Sequence, residues 1–407
     1  MSQPVDKESV VSDETTPTHT LTESNSAIAN PAAVFPMEIT AEIFTQCVHS
    51  SPDRNILLIL LGVSRRWRSI AFATSSLWSS VSDQGVRPIK FPELLKMWLG
   101  HGGNTNAPFS LFSRHVTNPM TLGRILAVLM DHSAPRVHKI DISLAKANLQ
   151  QFVYSSPHLR SLTINQCPPS RMHYLVNILR GAPNLVEFNL TEIYLLGYYP
   201  GYTSPILTHT SLQHLSVGLS GPQSLNFLRP QLLAWLTLPS LQSLDIHQLS
   251  NDSTSWLNFL VRSSPPLRSL RIDVEKDRSL DGFVRSLALV PTLTALEVRG
   301  ERHYATHPQP VTIQQVLFDA LADVNILPAL ERLEYHGRVA NRGGYELVLD
   351  VLVRRRETLK SFHLVDTSTG YDDLARSFDP LAPAFRDLVN DGTDVFISDR
   401  NGVRSVL

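Results

Sequence analysis

Cysteine is nearly absent: Cys47 and Cys167 are the only two in 407 residues. Two thiols cannot build a disulfide framework, so a reducing compartment, cytoplasmic and/or nuclear, is expected. Charge is scarce too. Asp, Glu, Lys and Arg make up 18% of the chain, against a norm of roughly 25%. The formal net charge is -1 with pI near 7.0. No global basic field is present to hold phosphates, so no nucleic-acid partner is expected. Long apolar runs are missing. The longest is Ile56 to Leu61, far short of the roughly 20 residues a membrane helix needs, so no membrane partner is expected. Residues 1–30 lack aromatics and carry ten Ser or Thr. They cannot bury enough apolar surface to offset chain entropy and read as a disordered tail. They also lack the apolar core of a signal peptide.

What is abundant is leucine, with 59 residues in a chain that is 43% hydrophobic. The length fits two or three domains, or one elongated array that grows without enlarging its core.

Residues 31–82 read as three short helices. Pro36 suits a first helical position, and Ile39, Ile43, Phe44 and Cys47 share one side of the first helix. Ser51-Pro52-Asp53 ends it, and Asp53 or Asn55 caps the next. The second helix carries Ile56, Leu57, Leu58, Leu60 and Leu61, apolar nearly all round, with Gly62 as a possible break. The third set is Val63, Trp67, Ile70 and Ala71, with Arg65, Arg66 and Arg68 off the stripe. Leu77-Trp78 closes the unit. Such a small core gains from burial against a partner.

After a connector (83–120, with Pro108 to Phe112 as a degenerate first strand) the chain repeats a word, Pro-x-Leu-x-x-apolar-x-apolar. It begins at Pro135, Pro157, Pro183, Thr210, Pro239, Pro265, Pro291, Pro328 and Glu357. The third positions are spaced 22, 26, 27, 29, 26, 26, 37 and 29 residues apart, in or near the leucine-rich-repeat range of about 20–29. Positions six and eight are two apart, so they point to one side of a strand. Helical stretches lie between words (Leu122 to Met130, Met172 to Leu179, Leu225 to Trp235, Trp256 to Val261, Ile313 to Val324, Tyr345 to Val353). Most run into a Pro that stops them. Strand, helix, strand at this period predicts parallel strands with right-handed crossovers, repeats spanning 121–370. Residues 371–407 read as a C-terminal cap, with a helix at Phe385 to Val389 and a last strand at Val395 to Ile397.

Two resemblances follow from these residues. Phe35-Pro36-Met37-Glu38-Ile39, Ile43-Phe44, Leu57-Leu58, Val63-Ser64-Arg65-Arg66-Trp67-Arg68 and Leu77-Trp78 together resemble an F-box. Phe35 replaces Leu and Ser64 replaces Cys in that pattern. The words resemble leucine-rich repeats, although only Cys167 matches the Asn or Cys that follows the strand in that family. The combination looks like the substrate-receptor class of cullin–RING ubiquitin ligases. It implies a small three-helix F-box followed by an α/β solenoid, strands on the concave face and helices on the convex. It also implies a non-catalytic chain that binds a Skp-type adaptor, through it a cullin, and a protein substrate. The alternative is a leucine-rich-repeat interaction scaffold that recruits no ligase.

Carried over from the resemblance, the adaptor-facing or core positions are Pro36, Ile39, Ile43, Phe44, Leu58, Val63, Trp67 and Trp78. Alternation independently assigns positions five, seven and nine of each word to the open sheet face. His214, Asp245, His247, Arg271 and Arg299 are the substrate candidates there, and Tyr198, Tyr199 and Tyr202 on one loop are a rim contact. The bland reading, a half-solvated face, stands beside that one. No nucleophile elbow, phosphate loop or zinc-ligand spacing is present, so no catalytic residue, metal or cofactor is assigned. Asp391-Gly392-Thr393-Asp394 reads as a turn, and Arg354-Arg355-Arg356 as a structural helix end.

Overall fold

A computed structural model of the chain describes residues 35–50, 56–101, 108–115, 118–132, 137–144, 156–166, 170–193, 195–196, 206–219, 231–249, 253–274, 280–300, 313–339, 341–367 and 380–399. It opens with helices α1 (Met37–Ser50), α2 (Ile56–Val63) and α3 (Arg65–Ala73) and a 3-10 turn at Ser75–Trp78. Next come β1 (Ser80–Ser82), α4 (Phe91–His101), β2 (Phe109–Ser113), α5 (Pro119–His132), β3 (Val137–Ser143) and β4 (Ser161–Asn165). They are followed by β5 (Ser170–Arg171), α6 (Met172–Gly181), β6 (Glu187–Ile193), β7 (Leu195–Leu196), β8 (Leu207–Thr208) and β9 (His214–Leu219). Then come α7 (Gln231–Ala234), β10 (Leu236–Thr237), β11 (Ser243–Leu249), α8 (Ser253–Ser263), β12 (Ser269–Val274) and α9 (Leu280–Leu287). The last elements are β13 (Ala295–Gly300), α10 (Ile313–Leu321), β14 (Arg332–Gly337), α11 (Asn341–Arg354), β15 (Ser361–Asp366), α12 (Ala382–Asn390) and β16 (Asp394–Asp399).

The fold is mixed α/β and solenoid-like. Twelve strands form one parallel sheet in the order β1-β2-β3-β4-β6-β9-β11-β12-β13-β14-β15-β16, so each large strand pairs with the next one along the chain. The nine words supply β3 to β15 of that sheet, and the expected last strand is β16. At every word the third, sixth and eighth positions are buried. The sixth positions stack in register, from Ile140 through Leu162, Phe188, Leu215, Leu244, Leu270, Leu296 and Leu333 to Phe362. The helical stretches expected between words are present, except that only Gln231–Ala234 of the one beginning at Leu225 is a described helix. Asp391 to Asp394 is a turn. Gly392 takes φ +98 and the chain leaves α12 there, with Thr393 N donating to Leu388 O at 3.1 Å. Among the described residues no helix is long and apolar enough to cross a membrane.

Two local expectations are corrected. Gly62 does not interrupt α2, because a missing side chain removes no helical hydrogen bond. Instead Ser64 breaks the run. Its extended backbone (φ -157) caps α3, and its Oγ accepts the Trp67 N–H at 3.1 Å. Val63 therefore ends α2 and does not share the stripe of Trp67, Ile70 and Ala71. The sheet also begins earlier than the connector suggested. β1 pairs with β2 in parallel, and Asp83 just after it is buried. Its carboxylate accepts from Ser113 Oγ (2.9 Å), Arg114 N (3.0 Å) and His115 N (2.8 Å). The front helices are thus fused to the first rung, and their core is continuous with that of the repeats.

Two arginines hold neighbouring repeats together from the helix side. Arg262 Nη2, at the end of α8, donates to Leu233 O (2.8 Å) and Leu236 O (2.7 Å). Arg355, just past α11, is fully buried. It donates to Leu321 O (2.6 Å), Asp323 O (2.7 Å), Leu327 O (3.0 Å) and Ile326 O. These carbonyls lie at and beyond the end of α10, where helical partners run out. Leu327 has φ 53 there, a left-handed conformation that costs a leucine about 1–2 kcal/mol. Burial lowers the Arg355 pKa, with nearby Asp323 opposing the shift. The structural reading of this arginine run holds at Arg355.

Two outcomes are expected. Arg355→Met should lower unfolding free energy by about 3 kcal/mol, because it orphans several buried carbonyls. Arg354→Ala, which removes an exposed pair with Asp350, should cost under about 0.5 kcal/mol; urea titration of both variants distinguishes them. The second outcome concerns acid. His209 is buried with its Nε2 2.9 Å from Ala182 O. Burial pulls its pKa below the ordinary 6.5, and the hydrogen bond to Ala182 only partly opposes this. The unfolded chain therefore takes up the proton first. Stability should be unaffected by this group above pH about 6.5 and fall as pH drops below it. His209→Gln should flatten that part of the stability-against-pH curve.

Candidate functional site

The front unit carries an unusual surplus of exposed apolar surface. Seven of the seventeen exposed large apolar side chains among the described residues fall between Phe35 and Phe72. Ile39 (49% exposed) and Ile43 (45%) are four apart on α1, and Ile59 (57%) and Val63 (53%) are four apart on α2. The i, i+4 spacing places each pair on one helix face. Phe35 and Met37 extend the α1 surface toward its start. The backbone there is fixed: Arg66 Nη2 donates to Phe35 O at 2.8 Å, and Thr40 N donates to Pro36 O at 3.1 Å.

The eight residues carried over from the resemblance divide into two sets. Pro36, Ile39, Ile43 and Val63 are exposed, while Leu58 and Trp67 are half-buried. Phe44 and Trp78 are core residues, the second of the two roles that the resemblance allows. Phe44 packs on Trp67, ring centroids 4.9 Å apart. Trp78 donates its Nε1–H to Ala71 O at 2.8 Å and meets Trp98 edge-on at 4.9 Å. Both carry the largest side chains of a miniature core, and that core claims them first. Sequence reasoning missed Met37 and Ile59 as surface. The signal was available at Ile59, since a helix apolar all round must expose one side when only one neighbouring layer covers it.

The second candidate region is the polar face of the sheet. Along β11 to β15 its central row reads Asp245, Arg271, Glu297, Glu334 and His363, each residue in register with the next. Arg271 Nε is 3.2 Å from Glu297 Oε1 and 3.9 Å from Asp245 Oδ1. Arg299 Nε reaches the same Glu297 oxygen at 2.5 Å. His336 pairs with Glu334 and lies 4.0 Å from Glu297. The structure thus brings together Asp245, Arg271 and Arg299. His214 stands apart in the row of Glu187 and Ser243. His247 is in β11, but its side chain lies outside the described residues, as do Tyr198, Tyr199 and Tyr202. At the other end of the sheet part of this face is buried. Asp141 and Ser143 are buried, and Asp141 accepts from Arg114 Nη2 (2.8 Å) and Asn165 Nδ2 (2.7 Å).

Sequence reasoning also missed the grouping of Glu297, Glu334 and His336, whose ligand atoms lie within 4.8 Å of one another. The residues come from adjacent strands across a long repeat, so linear spacing carries no trace of them. Two guanidiniums already hold the Glu297 carboxylate, which opposes a divalent cation there by direct charge repulsion.

Glu297 and Glu334 are like charges directly opposite each other, an arrangement that destabilises a sheet unless neutralised. Glu297→Ala should cost about 1–2 kcal/mol, because Arg271 and Arg299 lose their shared counter-ion. Glu334→Gln should be neutral or slightly stabilising. Thermal melts of the two variants, moving in these different directions, check the charge balance. Against known proteins, no family model matches this chain and no curated protein matches it.

Proposed function

We propose that this chain is a non-catalytic receptor subunit of an SCF-type ubiquitin ligase. The front unit acts as an F-box that docks a Skp-type adaptor, and through it a cullin. The repeats act as leucine-rich repeats whose open sheet face binds the protein to be ubiquitinated. The observation that carries this reading is an exposed aliphatic pair on each of α1 and α2, with Ile39, Ile43, Ile59 and Val63 about half exposed. A monomer gains nothing by leaving four aliphatic side chains in water, whereas a docking helix needs them outside. The motif order quoted above gives the partner class. The half-exposed charged row of β11 to β15 suits the second task. Its charges are mutually paired, so they select a partner by pattern and not by net attraction.

The test is direct binding of the purified chain to a purified Skp-type adaptor. The expected result is a complex that the double variant Ile39→Glu/Ile43→Glu weakens by at least about a hundredfold. Cys47 gives an independent readout. It is exposed on α1, four residues after Ile43. A maleimide should label it in the free chain and be excluded in the complex. Absence of binding by the unaltered chain, or binding indifferent to the double variant, overturns the reading.

A further inference from the structure

We infer that the target docks through a basic segment, and that the end of the open sheet face formed by β14, β15 and β16 takes an arginine side chain of that segment. This rests on the sheet face being the target-binding surface, as proposed above, and not on the adaptor half of that reading. Guanidiniums balance the face only as far as β13. Arg271 lies against both Asp245 and Glu297, and Arg299 also holds Glu297. From β14 onward the counter-ions are imidazoles. Glu334 pairs with His336, and Asp394 Oδ2 lies 3.5 Å from His363 Nε2. Asp394 also accepts from the neutral Ser361 hydroxyl at 3.4 Å. An imidazole offsets a carboxylate only when protonated, and an ordinary histidine is mostly neutral at pH 7. Arg332 shares this face, two residues before Glu334, and is exposed. Among the described residues it pairs with neither carboxylate.

Three observations point to a guanidinium as the missing partner. First, both carboxylates can be reached: the Asp394 side chain is 71% exposed and that of Glu334 30%. Second, aromatic rings lie between them. His363 is in register with Glu334 on one side and with Phe396 on the other. The His363 and Phe396 rings are half-buried, their centroids 5.6 Å apart. A guanidinium lays its flat face on such rings while its N–H fork meets a carboxylate, whereas an ammonium is a compact, strongly hydrated point charge. Third, a hydrogen bond is left open beside them. Strand alternation puts Ser398 on the side of Asp394 and Phe396. Ser398 is buried, and its Oγ has no partner among the described residues. A buried polar group without a partner in the free chain leaves one for an occupant to supply.

The experiment titrates the full chain with a labelled peptide of alternating Arg and Ala, read by fluorescence anisotropy at low salt. Two companion peptides carry Lys or the neutral isostere citrulline in place of Arg. The arginine peptide should bind about threefold more tightly than the lysine peptide, and the citrulline peptide should not bind. The double variant Glu334→Gln/Asp394→Asn should weaken the arginine peptide about tenfold. Phe396→Leu should abolish the preference for Arg over Lys. Glu331→Gln removes a charge from an exposed pair with Lys360, outside the strand, and should leave binding unaltered. Equal affinity for the arginine and citrulline peptides, or for the arginine and lysine peptides, overturns the inference, as does no binding at all. Comparisons among the peptides use the unaltered chain, so they stand even if a variant is unstable. Weakening by Glu331→Gln as large as that by the double variant also overturns it, since attraction would then follow net charge alone. Adaptor binding measured on the same preparation tests the ligase reading separately. A chain that binds the adaptor but not the arginine peptide sinks this inference alone. A chain that binds the arginine peptide at these residues but not the adaptor supports it and sinks the ligase reading.

Discussion

No repeat of this chain can bury its own apolar face, and in-register stacking is what removes that face from water. A word of eight residues contributes three buried positions, but a lone strand and helix would leave half of each in solvent. The neighbouring word covers it, and is covered by the next. Register matters because a slip of one residue would turn every buried leucine to the polar side. The in-register ladder from Ile140 to Phe362 is therefore both the main source of stability and the reason that the sheet has a well-defined open face. The charged row exists only because the leucine row beneath it is fixed.

The same constraint governs how the front unit is attached. Its helices are too few to bury their own aromatic side chains, and Trp78 is covered by Trp98 of the first sheet-associated helix. β1 then pairs with β2, and the buried Asp83 carboxylate gathers three donors from the end of β2. Arg114, whose N–H is one of those donors, carries its side chain on to Asp141 of β3. This sequence of contacts ties β1, which directly follows the front helices, to β2 and β3.

Much of this architecture was legible in the residues. The repeating word, with Pro at seven of its nine starts, marks both the end of a helix and the approach to a strand. Leu at its third position then fixes which side is buried. What was not legible involves partners set by stacking. Arg262 and Arg355 reach carbonyls 26 to 34 residues away, and nothing in their neighbours distinguishes them from Arg354, which is exposed. The opposed glutamates and His336 are a product of register alone. The Ser64 break was harder for another reason. Val63 and Trp67 have helical spacing, so periodicity predicts one continuous stripe, while a single hydroxyl capping the Trp67 N–H decides otherwise.

That break bears on recognition. Had α2 run on into α3, Val63 would share the stripe of Trp67, Ile70 and Ala71, and the latter two are buried. Ending α2 at Val63 leaves it with Ile59 on an outward face. The hydroxyl at Ser64 thus helps to expose the apolar pair Ile59 and Val63 by terminating a helix. The two candidate surfaces then differ in kind. The front face is apolar, and its burial gives affinity with little demand on sequence. The sheet face is a set of paired charges, where a wrong partner leaves a carboxylate or guanidinium desolvated and unmatched. On the proposed function the chain joins a constant partner to a selected one and needs both kinds of surface, and this fold places them on different elements, so that either can change without disturbing the other.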